Sequence, residues 1–96
     1  NCVFLIMPQL HDLYLIKKNL PNYKNFYYNI SKKNKLNILD LTNSFLNLKN
    51  FSKVYIEDKY GGHLNEKGNN FVANQFYKYI KFKKFIWLYG SQEFLV

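Results

Sequence analysis

Arginine is absent from this 96-residue chain, and all fourteen of its basic side chains are lysine. Specific reading of phosphates and base edges leans on arginine's planar fork, whereas lysine offers a flexible point charge. The net charge of +8 therefore points to general attraction for anions and argues against sequence-specific nucleic-acid recognition. The lysines are also dispersed, as Lys17-Lys18, Lys32-Lys33 and Lys83-Lys84, and form no long basic run. Fourteen asparagines accompany them. That bias reads mainly as the habit of an AT-rich coding sequence, with the positive charge partly its by-product.

Cysteine is as scarce. Cys2 stands alone, which excludes an internal disulfide, and its apolar setting suggests a buried strand residue rather than a nucleophile. The two histidines, His11 and His63, lie far apart with no third ligand type beside either. No metal-binding spacing exists, and no cofactor is expected. No apolar run is long enough for a membrane span. The opening Asn-Cys-Val-Phe-Leu-Ile-Met-Pro is apolar but short and lacks the basic leader of a signal peptide. Beginning in mid-strand without methionine, it reads as part of a longer chain. What the sequence does hold is core material: 48% of residues are hydrophobic, including nine Tyr and nine Phe. That suffices for one small packed domain over residues 1–96 and argues against disorder.

The run Cys2–Met7 is apolar on both faces and is stopped by Pro8, which suits a buried strand of a parallel sheet. Gln9 to Asn19 reads as a loop followed by a short helical turn. From Pro21 to about Lys35 the spacing becomes helical, started by Pro21 or Asn22, with Tyr23, Phe26, Tyr27 and Ile30 on a core-facing stripe. Leu36–Leu41 predicts a second strand, and Thr42 or Asn43 caps a short helix through about Leu48. Lys53–Asp58 is a short extended piece leading into Tyr60-Gly61-Gly62-His63. Asn65 then caps a helix with Glu66 in its first turn, where negative charge complements the helix dipole. Phe71, Val72, Phe76, Tyr79 and Ile80 form its buried stripe, while the tail from Lys81 is ambiguous between more helix, a strand and an irregular end. A strand–helix–strand unit of this length calls for parallel pairing with a right-handed crossover. Two parallel strands leave sheet faces uncovered, so the pattern reads as one half of an α/β sandwich.

The segment Asp58-x-Tyr-Gly-Gly-His63-Leu64-Asn65-x-x-Gly68-Asn69, followed by Val72-Ala73, resembles the last sequence block of the SGNH hydrolases, also called GDSL esterases/lipases. The resemblance covers residues 1 to about 80, and only the histidine loop is moderately specific. It implies a flavodoxin-like three-layer α/β/α sandwich with a parallel sheet, of which this chain would be the C-terminal portion. It also implies ester hydrolysis by a serine, with His63 as general base and a carboxylate orienting it. The substrate would be a small-molecule, carbohydrate or lipid ester.

This sequence departs from the family pattern in three places. The family's aspartate lies three residues before the histidine, where this chain has Tyr60. The nearest carboxylates are Asp58, taken as the acid partner, and Glu57 as the fallback. A fold-back through the two glycines would be needed to bring Asp58 to the ring. The Gly-Asp-Ser segment of the nucleophile is missing, since Ser31, Ser44, Ser52 and Ser91 all lack that context. The glycine and asparagine of the oxyanion hole are missing too. Nucleophile and oxyanion hole would therefore lie upstream of Asn1, and the 96 residues alone would be inactive and poorly soluble.

Plain structural readings compete at each position. His63 could be a solvated loop residue, Asp58 a surface carboxylate, and Asp40 a cap at the sheet end. Asn65 reads as an N-cap and Gly68 as a close-packing position. His11-Asp12 is better read as exposed loop than as a dyad, because adjacent residues rarely point together. Two other functions stay open: a lysine- and aromatic-rich module binding nucleic acid or an anionic surface, and a catalytically degenerate relative.

Overall fold

A computed structural model of the chain describes residues 2–56, 59 and 62–89, with side chains described as far as Lys84. It is a mixed α/β structure built around one parallel strand pair. Strand β1 (Phe4–Ile6) pairs with β2 (Ile38–Asp40) in the register Phe4↔Ile38, Leu5↔Leu39 and Ile6↔Asp40. Two backbone bonds extend the ladder, Phe4 N to Asn37 O at 2.8 Å and Leu41 N to Ile6 O at 3.0 Å. The crossover contains two helices, α1 (Leu10–Lys17) and α2 (Lys24–Asn34).

Local chemistry sets where these helices begin and end. Asp12 Oδ2 accepts from Gln9 N at 3.1 Å, relieving one orphan donor at the start of α1. The Gln9–Asn19 stretch is therefore an eight-residue helix, more regular than the loop and turn its composition suggested. Helix α2 starts later than Pro21, with Asn22 Oδ1 accepting from Lys24 N at 2.8 Å. It ends on Lys35, held left-handed at φ 52°, while Ser31 Oγ donates to Leu36 O and Leu36 N donates to Ser31 O.

Alternation along a strand sends successive side chains to opposite faces. The paired Leu5 and Leu39 pack on the core, where Leu13, Leu41, Phe45, Phe51 and Tyr55 are buried. Helix α3 (Thr42–Leu46) carries Phe45 into its centre. There the ring lies 4.9 Å from Phe71 and 5.7 Å from Tyr55, centroid to centroid, distances at which edge and tilted aromatic contacts add to burial.

The opposite sheet face is only partly covered, with Ile6 and Ile38 half-buried, and three expectations are corrected. Cys2 is exposed rather than buried. Phe4 is 51% exposed, so β1 is not covered on both faces. Helix α2 has no buried residue: Phe26 is 58% exposed, and Tyr23, Tyr27 and Ile30 are half-buried. Among the described residues, then, one sheet face carries the core and the other lacks a full covering layer. A three-layer sandwich is not seen.

The second sheet is an antiparallel pair, β3 (Tyr55–Ile56) with β4 (His63–Leu64), in the register Tyr55↔Leu64 and Ile56↔His63. A 3₁₀ turn over Phe51–Val54 precedes it, so Lys53 and Val54 are not extended as the sequence suggested. Helix α4 (Glu66–Tyr89) follows directly. Its stripe is shallower than expected, with Phe71, Val72, Phe76 and Tyr79 half-buried and Ile80 47% exposed. The tail continues as helix to Tyr89, and residues 90–96 lie outside the described residues. No helix is long and apolar enough to cross a membrane among the described residues.

Candidate functional site

His63 opens β4, and its position is set from both sides. Behind it, Asn65 makes three bonds besides accepting the backbone bond from Asn69 N in α4. Its N donates to Val54 O at 3.0 Å, its Nδ2 donates to Lys53 O at 2.8 Å, and its Oδ1 accepts from Gly68 N at 2.9 Å. The last is the side-chain N-cap expected of asparagine; the other two lock the start of α4 to the 3₁₀ turn. Gly68 fits against that turn so tightly that an added Cβ would lie 2.2 Å from Val54 O. Both residues act as structural parts, as their types and spacing suggested.

In front of His63, Gly62 is buried with φ 83°, a left-handed conformation that glycine adopts without a Cβ penalty. Its Cα faces α1: an added Cβ would approach Leu10 Cβ to 3.0 Å. The hairpin is tied to the sheet by Tyr55, whose buried hydroxyl donates to Pro8 O at 2.6 Å. Pro8 lies just beyond the carboxyl end of β1. His63 consequently sits on the rim of an open depression of about 340 Å³, whose lining includes Met7, Pro8, Gln9, Tyr55 and Asn69. The imidazole is exposed. Open α/β sheets collect their sites at the carboxyl ends of their strands.

The tip of β2 carries a second polar group. Asp40 Oδ1 accepts from Thr42 N at 2.9 Å and from Thr42 Oγ1 at 2.6 Å. With Thr42 Oγ1 donating to Asp40, Tyr23 Oη is the donor in the 2.6 Å bond between the two hydroxyls. Thr42 is buried, so this string satisfies a polar group that would otherwise be costly. Burial pushes the Tyr23 phenol up to about 12, and the charges of Asp40 and Asp12 add to it. Burial likewise raises Tyr55, with smaller contributions from Tyr23 and Asp12. Asp40 thus serves as a cap on the strand end and on α3.

The other sequence candidates separate. Asp58 and Glu57, the carboxylates proposed to orient His63, lie outside the described residues. His11 and Asp12 sit in the first turn of α1, not in a loop. Asp12 is engaged by Gln9 N and His11 is exposed. The described serines have partners of their own: Ser31 Oγ bonds Leu36 O, Ser44 Oγ lies 3.5 Å from Gln75 Oε1, and Ser52 Oγ bonds Asn50 Oδ1. Ser91 lies outside the described residues. No group of His, Cys, Asp and Glu that could hold a metal ion occurs among the described residues.

Sequence reasoning missed the Tyr55–Pro8 tie and the Tyr23–Thr42–Asp40 string. The Tyr55–Pro8 tie spans 47 positions and the Tyr23–Thr42 bond 19, so neither leaves a local signature, whereas the Thr42–Asp40 end of the string is local.

No family model, curated protein or solved structure matches the chain.

Proposed function

We propose that this chain is the C-terminal portion of an SGNH-type serine ester hydrolase, with His63 as its general base. The observation that carries the reading is the placement of the imidazole. It stands on the depression at the carboxyl end of β1, on a hairpin held by Tyr55 and Asn65. Histidine suits the role because its proton affinity lies near neutrality. It takes the proton of a serine hydroxyl as that oxygen attacks the ester carbonyl, then returns it to the leaving alcohol. Asp58 is the proposed orienting carboxylate and Glu57 its substitute. The flavodoxin-like sandwich belongs to the same proposal: a preceding segment would add strands at the sheet edge and helices over the incompletely covered face, and would supply the serine and the oxyanion hole.

The substrate class is a carboxylic ester, whether a carbohydrate acetyl group, a lipid or another acyl ester. Acyl transfer to an acceptor other than water uses the same machinery. A fluorophosphonate, which captures activated serines, tests the reading without knowledge of the substrate. The longer product of the reading frame should be labelled, and the 96-residue chain should not. Labelling of the longer protein that persists in His63→Ala removes His63 from the role of base.

A further inference from the structure

At the other end of the strand pair lies a larger groove of about 810 Å³, formed where the starts of β1 and β2 meet the second half of α4. Its apolar lining is Val3, Phe4, Leu36 and Ile80, its charged lining is Lys35, Lys83 and Lys84, and Cys2, Asn37 and Tyr79 complete it, with no carboxylate among the described lining residues. Val3 is 38% exposed, Phe4 51% and Ile80 47%, so this apolar surface is not consumed by the core. A bond from Tyr79 Oη to Asn37 Oδ1 at 2.6 Å pins α4 against the lead-in to β2 and fixes the width of the groove. Lys83 Nζ lies 5.5 Å from the Tyr79 ring centroid, which places one cation at the groove edge.

We infer that this groove binds a single-chain anionic amphiphile, an alkyl chain ending in a carboxylate. The size falls within the roughly 300–1,000 Å³ of small-molecule sites. The chain lies along Val3, Phe4, Leu36 and Ile80, where it removes apolar surface from water. The carboxylate meets the lysine rim. Lysine supplies point charge to a carboxylate without demanding bidentate geometry. The hydroxyl of Tyr79 in the lining is already bonded to Asn37 Oδ1, and the described lining offers no carboxylate to hold a cation. This inference is independent of the role assigned to His63, which lies at the opposite strand ends.

The test is isothermal titration of the intact 96-residue chain with sodium laurate below its micelle concentration. Saturable one-to-one binding is expected, with no detectable binding of acetate. Lys83→Gln and Lys84→Gln should each weaken laurate about three- to fivefold, the scale of one exposed charge contact. Ile80→Asn should weaken it about tenfold, and since all three positions are exposed, the circular dichroism of each variant should match the parent. Laurate affinity unchanged in the three variants would overturn the proposal. So would equal binding of acetate, or binding to phosphatidylserine vesicles with no uptake of laurate.

Discussion

Replacing Gly68 by alanine sets two effects of opposite sign against each other. Within a helix, glycine to alanine is favourable by about 1 kcal/mol, because alanine loses less backbone entropy. At this position the new methyl would stand 2.2 Å from Val54 O, 2.8 Å from Leu64 Cδ2 and 3.2 Å from Leu64 Cβ. Leu64 Cδ2 can swing away, but Val54 O cannot. It is backbone, and it accepts the Asn65 N bond that closes the hairpin against α4. Ordinary contact begins near 3.4 Å, so α4 must retreat by about 1 Å. Overpacking of that kind costs roughly 1–3 kcal/mol, and loosening the Asn65 bonds adds about 1 kcal/mol more. The net expectation is a loss of about 2 kcal/mol, read as a lower urea midpoint at unchanged slope. The same retreat should shift the His63 ring resonances, because the hairpin moves with the helix. A midpoint equal to or above that of the parent would refute the packing of α4 against the 3₁₀ turn.

Tyr55→Phe keeps the ring in the core and removes only the hydroxyl, leaving Pro8 O without its partner. It should cost about 1–2 kcal/mol in urea unfolding and increase amide exchange at Leu64, whereas an unaltered midpoint would show that the tie to β1 contributes nothing. A pH effect follows from Tyr23, whose phenol stands at about 12 in the folded chain against an ordinary 10. The stabilisation is complete below pH 10 and is lost as pH rises toward 12, because the unfolded chain gives up the proton first. Relative to Tyr23→Phe, the parent should lose no more than about 2 kcal/mol across that window. A difference that stays flat, or grows with pH, would contradict the burial of this hydroxyl.

Features decided by neighbours in the sequence were legible in it. Asn65, Glu66 and Gly68 mark a helix start through local hydrogen bonding and packing, and that start is found where the residues indicate. Two apolar runs separated by helix-forming sequence indicated the parallel pair β1–β2. Burial was read less well, because it depends on what covers an element. Cys2 and Phe26 sit in apolar patterns yet are exposed. Periodicity finds the apolar face of a helix but not whether anything packs on it. The hairpin shows the same division. An extended stretch at Tyr55–Ile56 was visible, whereas its antiparallel pairing with His63–Leu64 was not, and the bond that ties this pair to Pro8 spans 47 residues. For the candidate site, His63 stood out through its glycines and the cap behind it, and its setting beside the end of β1 emerged only from the fold.

The account rests most directly on the imidazole at that strand end. Its sharpest test, under the proposal that a longer chain supplies the serine, is the steady-state hydrolysis of p-nitrophenyl acetate by that longer protein, comparing the parent with His63→Ala at about pH 7.5. The account predicts a fall in kcat of at least about a thousandfold with little change in KM, as loss of a base acting in the transition state requires. A variant that retains kcat within a few-fold of the parent would contradict it.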